Sequence, residues 1–186
     1  MKIHIFGASG SGVSTLGRAL SERLDLPYFD SDEYFWERSD PPFTVKRRAA
    51  ARNALLKEDL AKQGGASSPQ WILGGSVVNW NDPVFRDFDL AVFLWIPPGV
   101  RIRRLQQREQ ERYGDVLFLD PERRRLYEAF IDWASGYDDN SLSGRTLAAH
   151  EKWMRELDCP VLELREDIST EERVEAIIDY IIRSKL

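Results

Sequence analysis

Soft metal ligands are almost absent from this 186-residue chain, which has one cysteine and two histidines. A lone Cys159 excludes an intramolecular disulfide and any multi-cysteine zinc site. His4 reads as a packed strand histidine, and His150 falls mid-helix with no evident partner. So far apart in sequence, the two suggest neither a metal site nor a nucleophile triad. Long apolar runs are missing as well. The charge-free stretch from Leu90 to Val100 is far short of the ~20 residues a spanning helix needs and contains Pro97 and Pro98. No basic-then-apolar leader precedes Ile3-His4-Ile5-Phe6, so a cytoplasmic location is expected. Positive charge is in deficit, at 26 Lys and Arg against 31 Asp and Glu, a net of -5. That argues against coating nucleic acid or anionic lipid. Lysine in particular is scarce: 20 of the 26 cations are arginine. The guanidinium fork suits bidentate contact with phosphate or carboxylate, so the places where arginines cluster carry information.

What is present describes one globular α/β domain, with 42% hydrophobic and 31% charged residues. Residues 2–6 form a strand, followed by Gly-Ala-Ser-Gly-Ser-Gly and a helix from Ser14 to Leu24 with Leu16, Leu20 and Leu24 on one face. A second strand, Pro27 to Phe29, leads into Asp30-Ser31-Asp32, where Ser31 or Asp32 is expected to cap a short helix reaching Trp36. Asp40-Pro41-Pro42 breaks the chain, a helix runs from Thr44 to about Lys62, and 64–69 is a loop. Trp71 to Leu73 makes a third strand. Residues 89–96 make a fourth, apolar on both faces as in a parallel strand covered by helices. Helices over Gly99 to Tyr113, Pro121 to Trp133 and Gly144 to Leu157, a strand over Val161 to Leu164 and a helix over Thr170 to Ile182 complete the pattern. Such alternation predicts three layers around a parallel sheet, with ligands at the carboxyl ends of the strands. The segments 7–15, 30–36, 74–80 and 97–112 should then carry the chemistry.

Gly7, Ala8, Ser9, Gly10, Ser11, Gly12, Val13, Ser14 and Thr15 have the strand–glycine loop–helix layout of a P-loop. Glycines let the backbone wrap a phosphate so that its amides face the oxygens, and the following helix adds its positive end. Ser14 is placed to ligate Mg²⁺ and Thr15 to donate to a phosphate oxygen. Position 13 departs from the pattern: a lysine that would reach the β/γ-phosphates is replaced by valine.

Asp30 and Asp32 bring two carboxylates beside that loop. One can hold Mg²⁺ through water, and the other can orient or deprotonate an acceptor hydroxyl. Asp30 is read on the acceptor side, and Asp32 as both metal-side and catalytic acid. Gly74, Gly75 and Ser76 offer backbone amides to an acceptor, with Trp36 and Trp80 as flat walls. The other tryptophans are read as core.

After the fourth strand, Arg101, Arg104, Arg108 and Arg112 follow at helical spacings of three and four. Arg101 and Arg112 are expected on an ordinary solvated surface. Arg104 and Arg108 sit where a guanidinium can stack on a base or clamp transferring phosphates. Arg145, following the loop 136–144, is a second candidate finger.

Taken together, these motifs resemble P-loop small-molecule kinases of the adenylate/shikimate/gluconate kinase type, over nearly the whole chain. Closer still are adenylate-kinase-related P-loop proteins that lack the P-loop lysine. The resemblance implies a five-stranded parallel sheet, an acceptor-binding segment around 31–69 and a lid near 109–143. It also implies Arg104 over the adenine, and Arg108 and Arg145 near the phosphates. The expected activity is ATP- and Mg²⁺-dependent transfer of the γ-phosphoryl group to a small acceptor, nucleoside monophosphates included. The alternative is a catalytically impaired nucleotide-binding module that closes on its ligand, which Val13 motivates. Expected partners are a nucleotide and a small-molecule acceptor, with no membrane and no nucleic acid, for a monomer or homodimer.

Overall fold

The computed structural model describes residues 1–40, 42–63, 69–141 and 144–186. Pro41, the loop expected over 64–69 (Pro69 apart) and two residues of the loop 136–144 lie outside that set. Five strands, β1 (Lys2–Gly7), β2 (Tyr28–Asp30), β3 (Trp71–Gly74), β4 (Leu90–Leu94) and β5 (Val161–Leu164), form one sheet in the order β2-β3-β1-β4-β5. Every pairing is parallel, as expected.

Parity along β1 separates the two cores, because successive side chains of a strand point to opposite faces. Ile3 and Ile5 join Ile72, Val92 and Leu94 against Leu16 and Leu20 of α1 (Val13–Leu24) and Val174 and Ile177 of α8 (Thr170–Ser184). On the other face, Phe6, Leu73 and Phe93 meet Leu56 and Leu60 of α3 (Ala49–Ala61) and Trp153 and Met154 of α7 (Leu147–Met154). Residues 90–94 are buried throughout, which accounts for the unbroken apolar run. His4 lies on the second face between the rings of Phe6 and Phe88, and its Nδ1–H donates to the Leu73 carbonyl at 3.0 Å. Burial lowers its pKa to about 3, so the ring is neutral.

The remaining helices are α2 (Ser31–Phe35), α4 (Pro98–Tyr113), α5 (Val116–Leu119) and α6 (Pro121–Ser135). α5 is a short element the periodicity did not signal. The helix expected from Thr44 begins at Ala49 instead. Residues 45–47 are extended because Glu37 N–H donates to the Val45 carbonyl and Arg47 N–H to the Phe35 carbonyl, pairing Trp36 with Lys46. The helix expected from Gly144 begins at Leu147, where Thr146 Oγ1 accepts from Ala149 N–H, and Gly144 itself has φ +101°. Among the described residues no helix is long and apolar enough to cross a membrane.

Register brings the strand ends together. Gly7 lies beside Leu94, and Gly74 beside both Ile5 and Asp30, so the segments that follow β1, β2, β3 and β4 emerge at one edge of the sheet.

Candidate active site

Between β1 and α1 the chain turns through Gly10 at φ +83° and Gly12 at φ +97°, conformations that favour glycine. The loop turns its carbonyls inward. The Ala8 carbonyl accepts from Ser11 N–H at 3.1 Å and from Ser11 Oγ at 2.8 Å. The Ser9 carbonyl accepts from Arg101 Nη1 at 3.3 Å, and the Ser11 carbonyl from Arg173 Nη1 at 3.1 Å. Gly12, at the N-cap of α1, has no side chain to cap the helix, so among the described residues its N-terminal amides and positive end are left to the mouth of the loop. This cradle fits the phosphates of a nucleotide. Val13 packs on the apolar cluster between β1, α1 and α8.

Asp30 caps α2, its Oδ1 accepting from Asp32 N–H at 3.0 Å, which displaces Ser31 and Asp32 from the expected capping role. Its extended backbone aims the other oxygen back at α1, where Oδ2 accepts from Ser14 Oγ at 2.9 Å and from the Tyr28 hydroxyl at 3.3 Å. Asp30, rather than Asp32, therefore stands beside the expected metal-side serine. Two hard oxygen donors, to be completed by water and phosphate, fit Mg²⁺, which rarely has an all-protein cage. Asp32 faces elsewhere. Burial pushes its carboxyl above the usual range, Arg145 and Arg108 pull it down, and Asp30 adds to the rise.

Tyr28 holds the acidic strand in place. Its ring lies where side chains at Gly17 and Gly74 would stand, so both positions must be bare. Gly75, at φ +92°, is pressed against Ser31 Oγ, and its amide donates to the Ile5 carbonyl at 3.0 Å. That amide extends the ladder and does not face an acceptor. Ser76 turns inward, with Oγ 2.9 Å from Nε2 of His150, whose Nδ1 is 2.7 Å from the Tyr137 hydroxyl. His150 thus has two partners where the sequence suggested none. Burial, then Arg145 and His4, lowers its pKa to about 3.

Trp80 is buried in the core beside Phe85, and the Arg52 guanidinium covers its ring at 3.9 Å. Trp36 is half-buried and packs edge-on against Phe35 and Phe43. Arg52 is a residue the sequence reading missed. Its Nε donates to Asn53 Oδ1, and among the described residues no carboxylate pairs with it. Its signal was a charge on an apolar stripe, since Arg52, Leu56 and Leu60 are the buried positions of α3.

The arginine helix α4 also differs from expectation. Arg101 is not solvated. It is 1% exposed, sharing the buried stripe with Leu105 and Glu109, and it binds Asp138 at 2.5 Å and the Ala134 carbonyl at 3.0 Å. Arg104 is half-exposed and pairs with Asp167 at 2.8 Å. Arg108 pairs with Glu109 at 3.2 Å and lies over Phe130, and Arg112 joins the same carboxylate. Arg145 lies over the Trp133 ring at 5.5 Å.

No family model matches this chain. It is 44% identical over 179 residues to the uncharacterised protein YqaC of Bacillus subtilis, covering 96% of each chain. It is 39% identical over 159 residues to the shikimate kinase of Paracidovorax citrulli, covering 80% of this chain and 87% of that one. The chain belongs to the P-loop small-molecule kinase superfamily. Its fold matches a crystal structure of a putative kinase from Chloroflexus aurantiacus with a TM-score of 0.59 at 15% identity, over 98% of this chain and 96% of that one.

Proposed function

We propose that this kinase-family chain moves the γ-phosphoryl group of ATP to a hydroxyl of a small anionic acceptor. The observation that carries the reading is the division of labour between the two acids. Asp30 is bound to Ser14 on the P-loop helix, whereas Asp32 lies in the field of Arg108 and Arg145. This supports reading Ser14 and Asp30 as the metal-side oxygens and Asp32 as the acceptor-side base.

The amides of residues 9–15 other than Ser11 bind the phosphates, and Arg104 lies over the base. Ser14 and Asp30 would hold Mg²⁺, which when bound would neutralise charge on the transferring group. Asp32 accepts the proton of the acceptor hydroxyl as its oxygen bonds to the γ-phosphorus. The bond from that phosphorus to the β–γ bridging oxygen breaks, and ADP departs. Arg108 and Arg145 stabilise the charge spread over the migrating group. Arg52, with no carboxylate paired to it among the described residues and lying over Trp80, takes the acceptor's anion, which is a carboxylate or a phosphate. Hydroxy acids such as shikimate and nucleoside monophosphates such as CMP both meet that description.

ADP release, measured with ATP-Mg²⁺ against a panel of hydroxy acids, sugar acids and nucleoside monophosphates, tests the reading. At least one acceptor is expected to raise ADP release about tenfold or more above the acceptor-free rate. Tight ATP binding with no stimulating acceptor would instead favour a nucleotide-binding module that closes on its ligand, the reading Val13 supports.

A further inference from the structure

Two buried guanidinium groups stand behind the P-loop, brought there from distant parts of the chain. Arg101 comes from the first turn of α4 and Arg173 from the first turn of α8, and they are 1% and 3% exposed. Each donates to one loop carbonyl, Arg101 to Ser9 and Arg173 to Ser11. Arg101 also binds Asp138 and the Ala134 carbonyl and Arg173 the Glu166 carbonyl, and among the described residues the buried Nε of each has no partner. The loop is shaped to seat on them. A Cβ at Gly10 would lie 2.8 Å from the Arg101 carbonyl, and one at Gly12 would lie 3.2 Å from Arg173 Nη1.

We propose that Arg101 and Arg173 are positioning residues that do from behind the loop what a lysine at position 13 would do from its front. This rests on the loop binding nucleotide phosphates. A trans peptide is planar, with its C=O and N–H pointing opposite ways. Holding the Ser9 carbonyl inward therefore turns the Gly10 amide outward, and holding the Ser11 carbonyl inward turns out the Gly12 amide. Two phosphate donors are fixed before any ligand arrives, so no reorganisation accompanies binding.

The charge is arranged to match. Arg101 is neutralised by Asp138, so its part is geometric. The Arg173 guanidinium lies 4.0 Å from Asp167, which is bonded more closely to Arg104 at 2.8 Å. Two arginines sharing one carboxylate leave a surplus positive charge behind the loop, in low-dielectric surroundings where it is felt strongly.

Calorimetric titration with ATP-Mg²⁺ and a double-mutant cycle decide the matter. Arg173→Gln is expected to weaken ATP-Mg²⁺ binding about tenfold, the loss of one charge-assisted hydrogen bond. Adding Val13→Lys to Arg173→Gln should restore most of that loss, a larger gain in affinity than Val13→Lys brings to the native protein. Purely structural arginines would lower the melting temperature with no such rescue. Should native protein show no ATP-Mg²⁺ binding, the kinase reading fails first. If native protein binds but folded Arg173→Gln binds within about twofold of it, this inference alone falls. Amide NMR of native protein gives an arm independent of folding of the variants. The Gly10 and Gly12 amide protons should move downfield on adding ATP-Mg²⁺, and unmoved resonances under saturating nucleotide would overturn the proposal.

Discussion

Ser76 Oγ and His150 Nε2, 74 residues apart in sequence, meet at 2.9 Å in the core. A neutral imidazole donates with one nitrogen and accepts with the other, so one of the Ser76 and Tyr137 hydroxyls donates to the ring and the other accepts. The ring thereby ties the turn after β3 to the chain after α6. His150→Phe strands both hydroxyls in a buried setting, at about 1–3 kcal/mol each. Chemical denaturation should show a loss of about 2–5 kcal/mol, and Ser76→Ala, which removes one partner cleanly, considerably less.

Acid should unfold the chain through its histidines. His4 and His150 are both lowered from 6.5 to about 3 by burial. An unfolded chain takes up protons on these rings below pH 6.5, whereas the folded chain does so only near 3. Stability contributed by the neutral rings is full above pH 6.5 and is lost progressively as pH falls toward 3. Melting temperatures measured between pH 7.5 and 4 should fall. His4→Phe, which keeps the aromatic stack, should flatten that decline.

Asp32 should set the acid limb of turnover. Its carboxyl is raised by burial against the pull of Arg145 and Arg108. The limb should therefore lie above 3.8, the usual aspartate value, and Arg145→Gln, which removes a lowering charge, should move it to higher pH. Asp32→Asn should reduce kcat by about 10²–10⁴ with a smaller effect on ATP affinity. A pH–rate profile of Arg145→Gln with an unmoved limb would count against Asp32 as the base.

Arg52 should control acceptor affinity more than rate. Removing a guanidinium that makes charge-assisted hydrogen bonds costs about 1.5–3 kcal/mol, or roughly ten- to a hundredfold in acceptor KM. Arg52→Lys loses the planar stack on Trp80 and should recover only part of that. Initial-rate kinetics in which kcat falls while acceptor KM holds would remove Arg52 from the acceptor site.

Much of this was legible in the residues. The leucines at 16, 20 and 24 reported a helical period, and the unbroken apolar run over 89–96 a strand covered on both faces, as the structure has them. The glycine loop carried its own backbone requirement. Other features depended on contacts no local pattern records. Arg101 looked like part of a surface stripe with Arg104, Arg108 and Arg112, yet it is in register with Leu105 and turns inward to the loop. His150 lay mid-helix with no neighbour in sequence, and its partners come from the turn after β3 and the chain after α6. The exchange between Asp30 and Asp32 turned on which carboxylate caps α2, and the two-residue spacing alone left that undecided.

The phenol of Tyr28 has a wider consequence. It acts as a spacer bar between a helix and a strand, and its hydroxyl reaches the very carboxylate that grips Ser14. Enlarging either bare position, 17 or 74, forces the bar to shrink or swing, and the Asp30 carboxylate loses a neighbour when it does. Ordinary drift at two inconspicuous packing sites would thus be read out directly as a change in chemistry, and these three residues can diverge only as a set.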